Sequence, residues 1–164
     1  MEKETKLEVL HLLEENARRS PAMIATMLKM DEDEVRQVLE EFERDRVIVR
    51  YSALVNWDKV DQNRVTAVID VKVTPQRDVG FDAIAQRIYR FPEVFSVSLM
   101  SGVYDLQVVV VGTHIREVAQ FVSEKLSTLE HVTSTTTHFL LKRYKWDGVI
   151  FDDGEQDQRL VITP

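Results

Sequence analysis

Apolar residues recur at helical spacing along roughly the first 45 positions, then switch to strand-like alternation. Between Lys6 and Glu15 they fall at Leu7, Val9, Leu10, Leu12 and Leu13, the stripe of an amphipathic helix that Asn16 ends. Ser20-Pro21 reads as an N-cap followed by proline at the first helical position. Met23, Ile24, Met27 and Leu28 continue that short second helix. Asp31 with Glu34 three residues on resembles a capping box, and Val35, Val38, Leu39 and Phe42 stripe a third helix running to about Asp45. Short helices joined in this way make a helix-turn-helix head. Val47 to Val55 is rich in β-branched and aromatic residues and predicts extended chain where a wing strand would lie. Asn56 to Gln62, with Trp57, Asp58 and Asp61, is polar and marks a boundary.

The second half repeats a different set of elements. Arg64 to Val73 alternates as a strand, and Pro75 stops it. Phe81, Ile84, Ala85 and Ile88 give a helical stripe that ends before Phe91-Pro92. Val94 to Met100 is a strand, Ser101-Gly102 turns the chain, and Tyr104 to Val111 is apolar enough for a central strand. Val118, Phe121, Val122 and Leu126 mark a helix, and a last strand runs from Val132 to about Lys142. The order β-α-β-β-α-β is the ferredoxin-like pattern. The expected class is therefore α+β. A winged helix-turn-helix domain (1–50) and an extended hinge (51–63) lead into a ferredoxin-like domain (64–146). An acidic tail (147–164) follows, in which Leu160-Val161-Ile162 suits a short edge strand.

Composition narrows the possibilities. The 164 residues include no cysteine, which removes disulfides and thiolate metal sites and fits a cytoplasmic protein. The longest apolar run, Val108 to Val111, is far short of the ~20 residues that span a bilayer. The opening Met1-Glu2-Lys3-Glu4 is too charged for a signal peptide. Net charge is −7, and residues 1–60 carry 10 basic against 14 acidic side chains. That balance opposes phosphate binding, which depends on Lys and Arg.

In order and spacing the elements resemble the Lrp/AsnC ("feast/famine") regulators over nearly the whole chain. The resemblance rests on Leu39 to Tyr51 at the end of the third helix, the hinge from Ser52 to Val60, the turn Ser101-Gly102-Val103-Tyr104-Asp105-Leu106, and Val132 to Leu141 with Thr135 and Thr137 alternating. It implies a DNA-binding transcriptional regulator, not an enzyme, with no cofactor and no metal. The partners implied are double-stranded DNA, a small-molecule effector of the amino-acid class, and further copies of the chain. The sheet would pair with that of a second copy, and dimers would join around residues 101–106 into a tetramer or octamer. The implied effector site is Gly102, Val103, Tyr104 and Asp105, facing Thr135 and Thr137 of a neighbouring subunit. Gly102 permits a positive φ and close backbone approach. Asp105 would accept from an ammonium group while adjacent N–H groups hold a carboxylate. A plain hairpin beside a half-exposed threonine strand accounts for the same residues equally well.

On the head, the implied DNA contacts are Arg36, Gln37 and Arg44, flanked by Lys29, Arg50, Arg18 and Arg19. The family's usual basic positions fall at Val38 and Glu41. The third helix opens Asp31-Glu32-Asp33-Glu34, where a recognition helix normally meets bases and phosphates. Acids there complement the helix dipole, but four of them would repel DNA. Weak, salt-dependent binding by each subunit is expected, with several subunits sharing one site.

Other chemistry is sparse. His11, His114, His131 and His138 lack metal-ligand spacing, and His11 among leucines reads as a satisfied structural histidine. The glycines at 80, 102, 112, 148 and 154 form no phosphate cradle. Two alternatives share the architecture: an oligomeric sensor without DNA binding, and a sirohaem-decarboxylase-like enzyme using His131, His138, Arg143 and Tyr144.

Overall fold

A computed structural model describes residues 3–74 and 80–151. The chain divides into two compact units, Met1–Val55 and Asn56–Pro164. The division falls inside the expected hinge, so residues 51–55 go with the head and 56–63 with the second unit.

The head contains α1 (Lys3–Glu15), α2 (Pro21–Leu28) and α3 (Glu32–Arg44). The Ser20 hydroxyl accepts from the Met23 N–H at 3.3 Å and starts α2. Lys29 ends α2 in the left-handed region, with φ 54. Asp31 caps α3, but its carboxylate accepts from the Asp33 N–H at 2.8 Å instead of the Glu34 N–H of a capping box. Val9, Leu13, Ile24, Val35, Val38, Leu39 and Phe42 form the core, with Ile48 against it. Residues 47–56 form no strand: the expected wing finds no ladder partner among the described residues, and Val47, Val49 and Tyr51 stay exposed. His11 is exposed, with its ring 3.6 Å from the Glu14 carboxylate.

The second unit begins with a 3₁₀ turn at Trp57–Lys59, over which Arg64 stacks with its guanidinium 4.6 Å from the Trp57 ring centre. There follow β1 (Val65–Val73), α4 (Asp82–Ile88), β2 (Val94–Leu99), β3 (Leu106–Gly112), α5 (Ile115–Phe121) and β4 (Val132–Phe139). After α5 the chain widens into a π-helical turn over Val122–Leu126 that seats Leu126 in the core. The antiparallel sheet has the order β2-β3-β1-β4, which the β-α-β-β-α-β connectivity predicts. Alternation in β1 sends Ala67, Ile69, Val71 and Val73 into the core under the helices, joined by Leu106, Val108 and Val110 of β3. Phe91 and Phe121 meet edge to face, ring centres 5.5 Å apart. Val68, Asp70 and Lys72 lie on the other face of the sheet, beside Gln107 and Val109 on one flank and Thr136 and His138 on the other.

One element was not expected. β5 (Lys145–Trp146) and β6 (Val149–Ile150) form a hairpin where an acidic tail was read. Asp147 (φ 49) and Gly148 (φ 75) make its two-residue turn, the left-handed pair that such hairpins demand. The signal, Asp-Gly between Trp146 and the apolar pair Val149-Ile150, is present in the sequence. The expected edge strand at Leu160-Val161-Ile162 and the stop at Pro75 lie outside the described residues.

Candidate effector and nucleic-acid sites

The turn between β2 and β3 is tied down from beneath. Asp105 donates its N–H to the Val71 carbonyl at 3.1 Å, and its own carbonyl accepts from Met100 at 2.8 Å. Its side chain accepts from the Val73 N–H at 3.0 Å and from Lys72 Nζ at 3.2 Å. The Val73 bond falls where the β1–β4 register shifts between Lys72 and Val73, so Asp105 satisfies a backbone donor that the irregular ladder displaces. The Val73 N–H chiefly, and Lys72 after it, hold the Asp105 carboxyl below the usual carboxylate range. Lys72 also donates to the Val103 carbonyl at 3.0 Å. Asp105 is thus a brace for the turn; within the subunit its oxygens are already engaged by these donors.

Above this brace the chain is open. Ser101, Gly102 and Val103 are exposed. Among the described residues, no N–H from Ser101 to Tyr104 donates to a protein acceptor. Gly102 is not in the positive-φ region, so the expected conformational reason for glycine does not apply, and a Cβ there would meet nothing within 4 Å. The Tyr104 hydroxyl lies 2.7 Å from that of Thr136, and His138 lies 3.2 Å from Asp70 across the same sheet face.

Thr135 and Thr137 sit elsewhere. They pair with Val71 and Ile69, whose side chains point into the core, so both threonines are on the helix-covered face. Thr135 lies 3.4 Å from the Ser127 hydroxyl there. The subunit therefore gathers Gly102, Val103, Tyr104 and Asp105, and Thr136 joins Tyr104 where Thr135 and Thr137 do not. Period-two counting from the buried positions of β1 would have assigned Asp70 and Lys72 to the open face, and the β1–β4 register then places Thr136 beside Asp70.

Of the seven residues expected to contact DNA, Arg18, Lys29, Arg36, Gln37, Arg44 and Arg50 are exposed. Arg36 pairs with Glu32 one turn back, and Arg44 with Asp45 at 2.9 Å. Exposed pairs of this kind contribute only about 0–1 kcal/mol, so a phosphate can displace the carboxylate at small cost. Arg18, Lys29, Gln37 and Arg50 complete the set. Arg19 does not extend it, since its guanidinium is held by the Leu12 carbonyl and by Glu15 at 2.8 Å. Val38 is 5% exposed and Glu41 pairs with Lys6 at 2.6 Å, so neither is a free DNA-facing position. The residues imagined around a tetrapyrrole do not converge. His131 and His138 stand at opposite ends of β4, seven residues or about 23 Å apart at strand rise.

A helix-turn-helix head followed by a ferredoxin-like sheet domain defines a two-module architecture. The Lrp/AsnC ligand binding domain family matches residues 66–150. A Bacillus subtilis (strain 168) protein described as an uncharacterized HTH-type transcriptional regulator, YugG, is 55% identical over 164 residues, covering 99% of this chain and 98% of its own. The HTH-type transcriptional regulator LysM of Saccharolobus solfataricus is 28% identical over 141 residues, covering 86% of this chain and 94% of its own. Solved structures share the fold. The Neisseria meningitidis regulator NMB0573 in complex with L-Met superposes with TM-score 0.72 at 23% identity, covering 89% of this chain and 93% of its own. Escherichia coli AsnC does so with TM-score 0.70 at 17% identity, covering 89% and 96%. The chain belongs to the Lrp/AsnC family of transcriptional regulators. Among the described residues no helix is long and apolar enough to cross a membrane, and no cluster of His, Asp or Glu is arranged to hold a metal ion.

Proposed function

We propose that this regulator binds duplex DNA through its head and that an amino acid at the 101–105 turn sets its state of assembly. The observation that carries the effector site is the run of unengaged N–H groups from Ser101 to Tyr104, which Asp105 and Lys72 fix in place from below. Successive exposed amides of this kind suit a carboxylate. Gly102 keeps the approach clear, because nothing inside the subunit requires a glycine there. The ammonium group then finds its acceptor on another copy, since Asp105 is occupied. The L-Met bound to the Neisseria protein supports the ligand class. Effector binding at a contact between copies favours one assembly over another. The open sheet face around Val68 and Val109 is the surface for a second copy, and grouped heads compensate for weak single-head DNA contact.

The test is a thermal-shift screen of the twenty amino acids, with light scattering on each hit, for wild type and Gly102→Ala. The substitution should leave the fold unchanged and remove the ligand-dependent change in assembly. A Gly102→Ala protein that responds like wild type places the effector elsewhere.

A further inference from the structure

Two cations of the head sit where glycine is the usual residue. The Arg46 N–H donates to the Glu43 carbonyl at 3.1 Å and the Val47 N–H to the Phe42 carbonyl at 2.8 Å, the paired bonds of a Schellman turn that closes α3. Arg46 holds the left-handed position of that turn, with φ 57. Lys29 (φ 54) does the same at the end of α2, where the Met30 N–H donates to the Ala25 carbonyl at 2.9 Å. In this region a side chain crowds the following carbonyl, a strain that glycine escapes. The Arg46 side chain does nothing within the head to offset it. Among the described residues its guanidinium makes no hydrogen bond and no ion pair. Nor does α3 need a second cation for its dipole, because Arg44 already stands in its last turn. The turn itself is held on both sides. Ile48 donates its N–H to the same Phe42 carbonyl at 3.0 Å and packs against the head core, and the Tyr51 hydroxyl donates to Glu43 at 2.8 Å. Arg46 is thus an exposed cation at a fixed position, in a conformation that the fold would fill better with glycine.

We infer that Arg46 binds a phosphate of duplex DNA, opposite Lys29 at the other end of α3. This rests on the DNA-binding reading above and adds a contact that the family resemblance does not imply. The 13 residues of α3 make it about 20 Å long. The major groove is only about 12 Å wide. A helix seated in it therefore brings its two ends to opposite phosphate walls, Lys29 to one and Arg46 to the other. The C-terminal end of a recognition helix reaches the backbone in this way in other folds. The head carries more acids than bases, so its phosphate affinity has to come from cations that no carboxylate holds. Arg36 and Arg44 are held by Glu32 and Asp45, whereas Arg46 is not held. The contact adds affinity without sequence preference, because it touches a phosphate and not a base edge.

The experiment measures affinity of the full chain across a salt series by fluorescence anisotropy, with urea melts of every variant alongside. The probes are a duplex from upstream of the protein's own coding region and a scrambled duplex of equal length. Arg46→Gly and Arg46→Gln should each lower the slope of log affinity against log salt by ~0.9, the share of one phosphate contact, on both duplexes alike. Arg46→Lys should keep the wild-type slope. Lys29→Gly/Arg46→Gly should lower it by about 1.8, for two contacts. The melts separate contact from fold. Arg46→Gly relieves the left-handed strain, so its urea midpoint should equal or exceed that of wild type while DNA binding weakens. Wild-type slopes for Arg46→Gly and Arg46→Gln, with Arg36→Gln weakened, overturn this inference and leave the head reading standing. A lower urea midpoint in Arg46→Gly also overturns it, since the arginine would then serve the turn. A wild type that binds neither duplex refutes both.

Discussion

Val38→Arg separates two accounts of the third helix. Alignment by family resemblance puts a DNA-facing basic residue at position 38, whereas the structure puts Val38 in the head core at 5% exposure, among Val35, Leu39 and Phe42. Removing a buried valine side chain forfeits about 1.5–2 kcal/mol of transfer energy. Burying a guanidinium without a partner adds several kcal/mol more. Globular proteins gain about 0.05–0.15 kcal/mol of stability per residue, so a unit spanning residues 1–55 holds only roughly 3–8 kcal/mol. Val38→Arg should therefore unfold the head, or leave it marginal, while the second unit persists. Circular dichroism should report lost helix, and proteolysis should cut before residue 56 while sparing the rest. Gln37→Arg, one position away and exposed, should keep wild-type helicity and steepen the salt dependence of DNA binding by about 0.9. A folded Val38→Arg protein with tightened DNA binding would refute the assignment of buried and exposed faces in α3.

Four further outcomes follow from local contacts. Asp105→Ala should destabilise the second unit even without ligand, because the Val73 N–H loses its acceptor; equal melting curves for variant and wild type would contradict the brace. The Asp105 carboxyl is depressed on folding, so its stabilisation is complete above the ordinary carboxylate value and fades as pH falls below it. The stability gap between wild type and Asp105→Asn should accordingly close in acid, as denaturant melts at stepped pH would report. The Tyr51 phenol is pushed up to about 12, first by partial burial and then by its 2.8 Å bond to Glu43. Its contribution is present below the usual phenol range and is lost as pH rises toward 12. An ultraviolet titration should show a late phase that Tyr51→Phe removes, and a late phase unchanged by that substitution would contradict it. Ser20→Ala should cost about 1 kcal/mol of head stability through the lost cap on α2, measured by urea melts.

Long periodic stretches were readable from the residues. The stripes at Val35-Val38-Leu39-Phe42 and Ile84-Ile88 and the alternation of Val65 to Val73 all became buried faces where expected. The wing was overread, because β-branched residues from Val47 to Val55 favour extended chain but cannot supply a ladder partner. The C-terminal hairpin was underread, since acidic residues beyond it masked the Asp147-Gly148 turn. At the candidate site, the turn residues were legible and their roles were not. Asp105 looks like a ligand acceptor until the register shift beside Val73 reveals an orphan N–H that needs it. Thr135 and Thr137 lie across from core residues, which needs the β1–β4 register to establish. Arg36 and Arg44 read as available cations because their carboxylate partners follow from side-chain packing, not from charge counts.

The central claim is that an amino acid at the 101–105 turn changes how this regulator holds DNA. The most direct measurement is the affinity of the full chain for duplex DNA from upstream of its own coding region, with and without each of the twenty amino acids at saturation. At least one amino acid should shift the affinity several-fold and alter the size of the complex, and Gly102→Ala should abolish both effects. Identical binding curves and identical complexes with every amino acid would contradict the account.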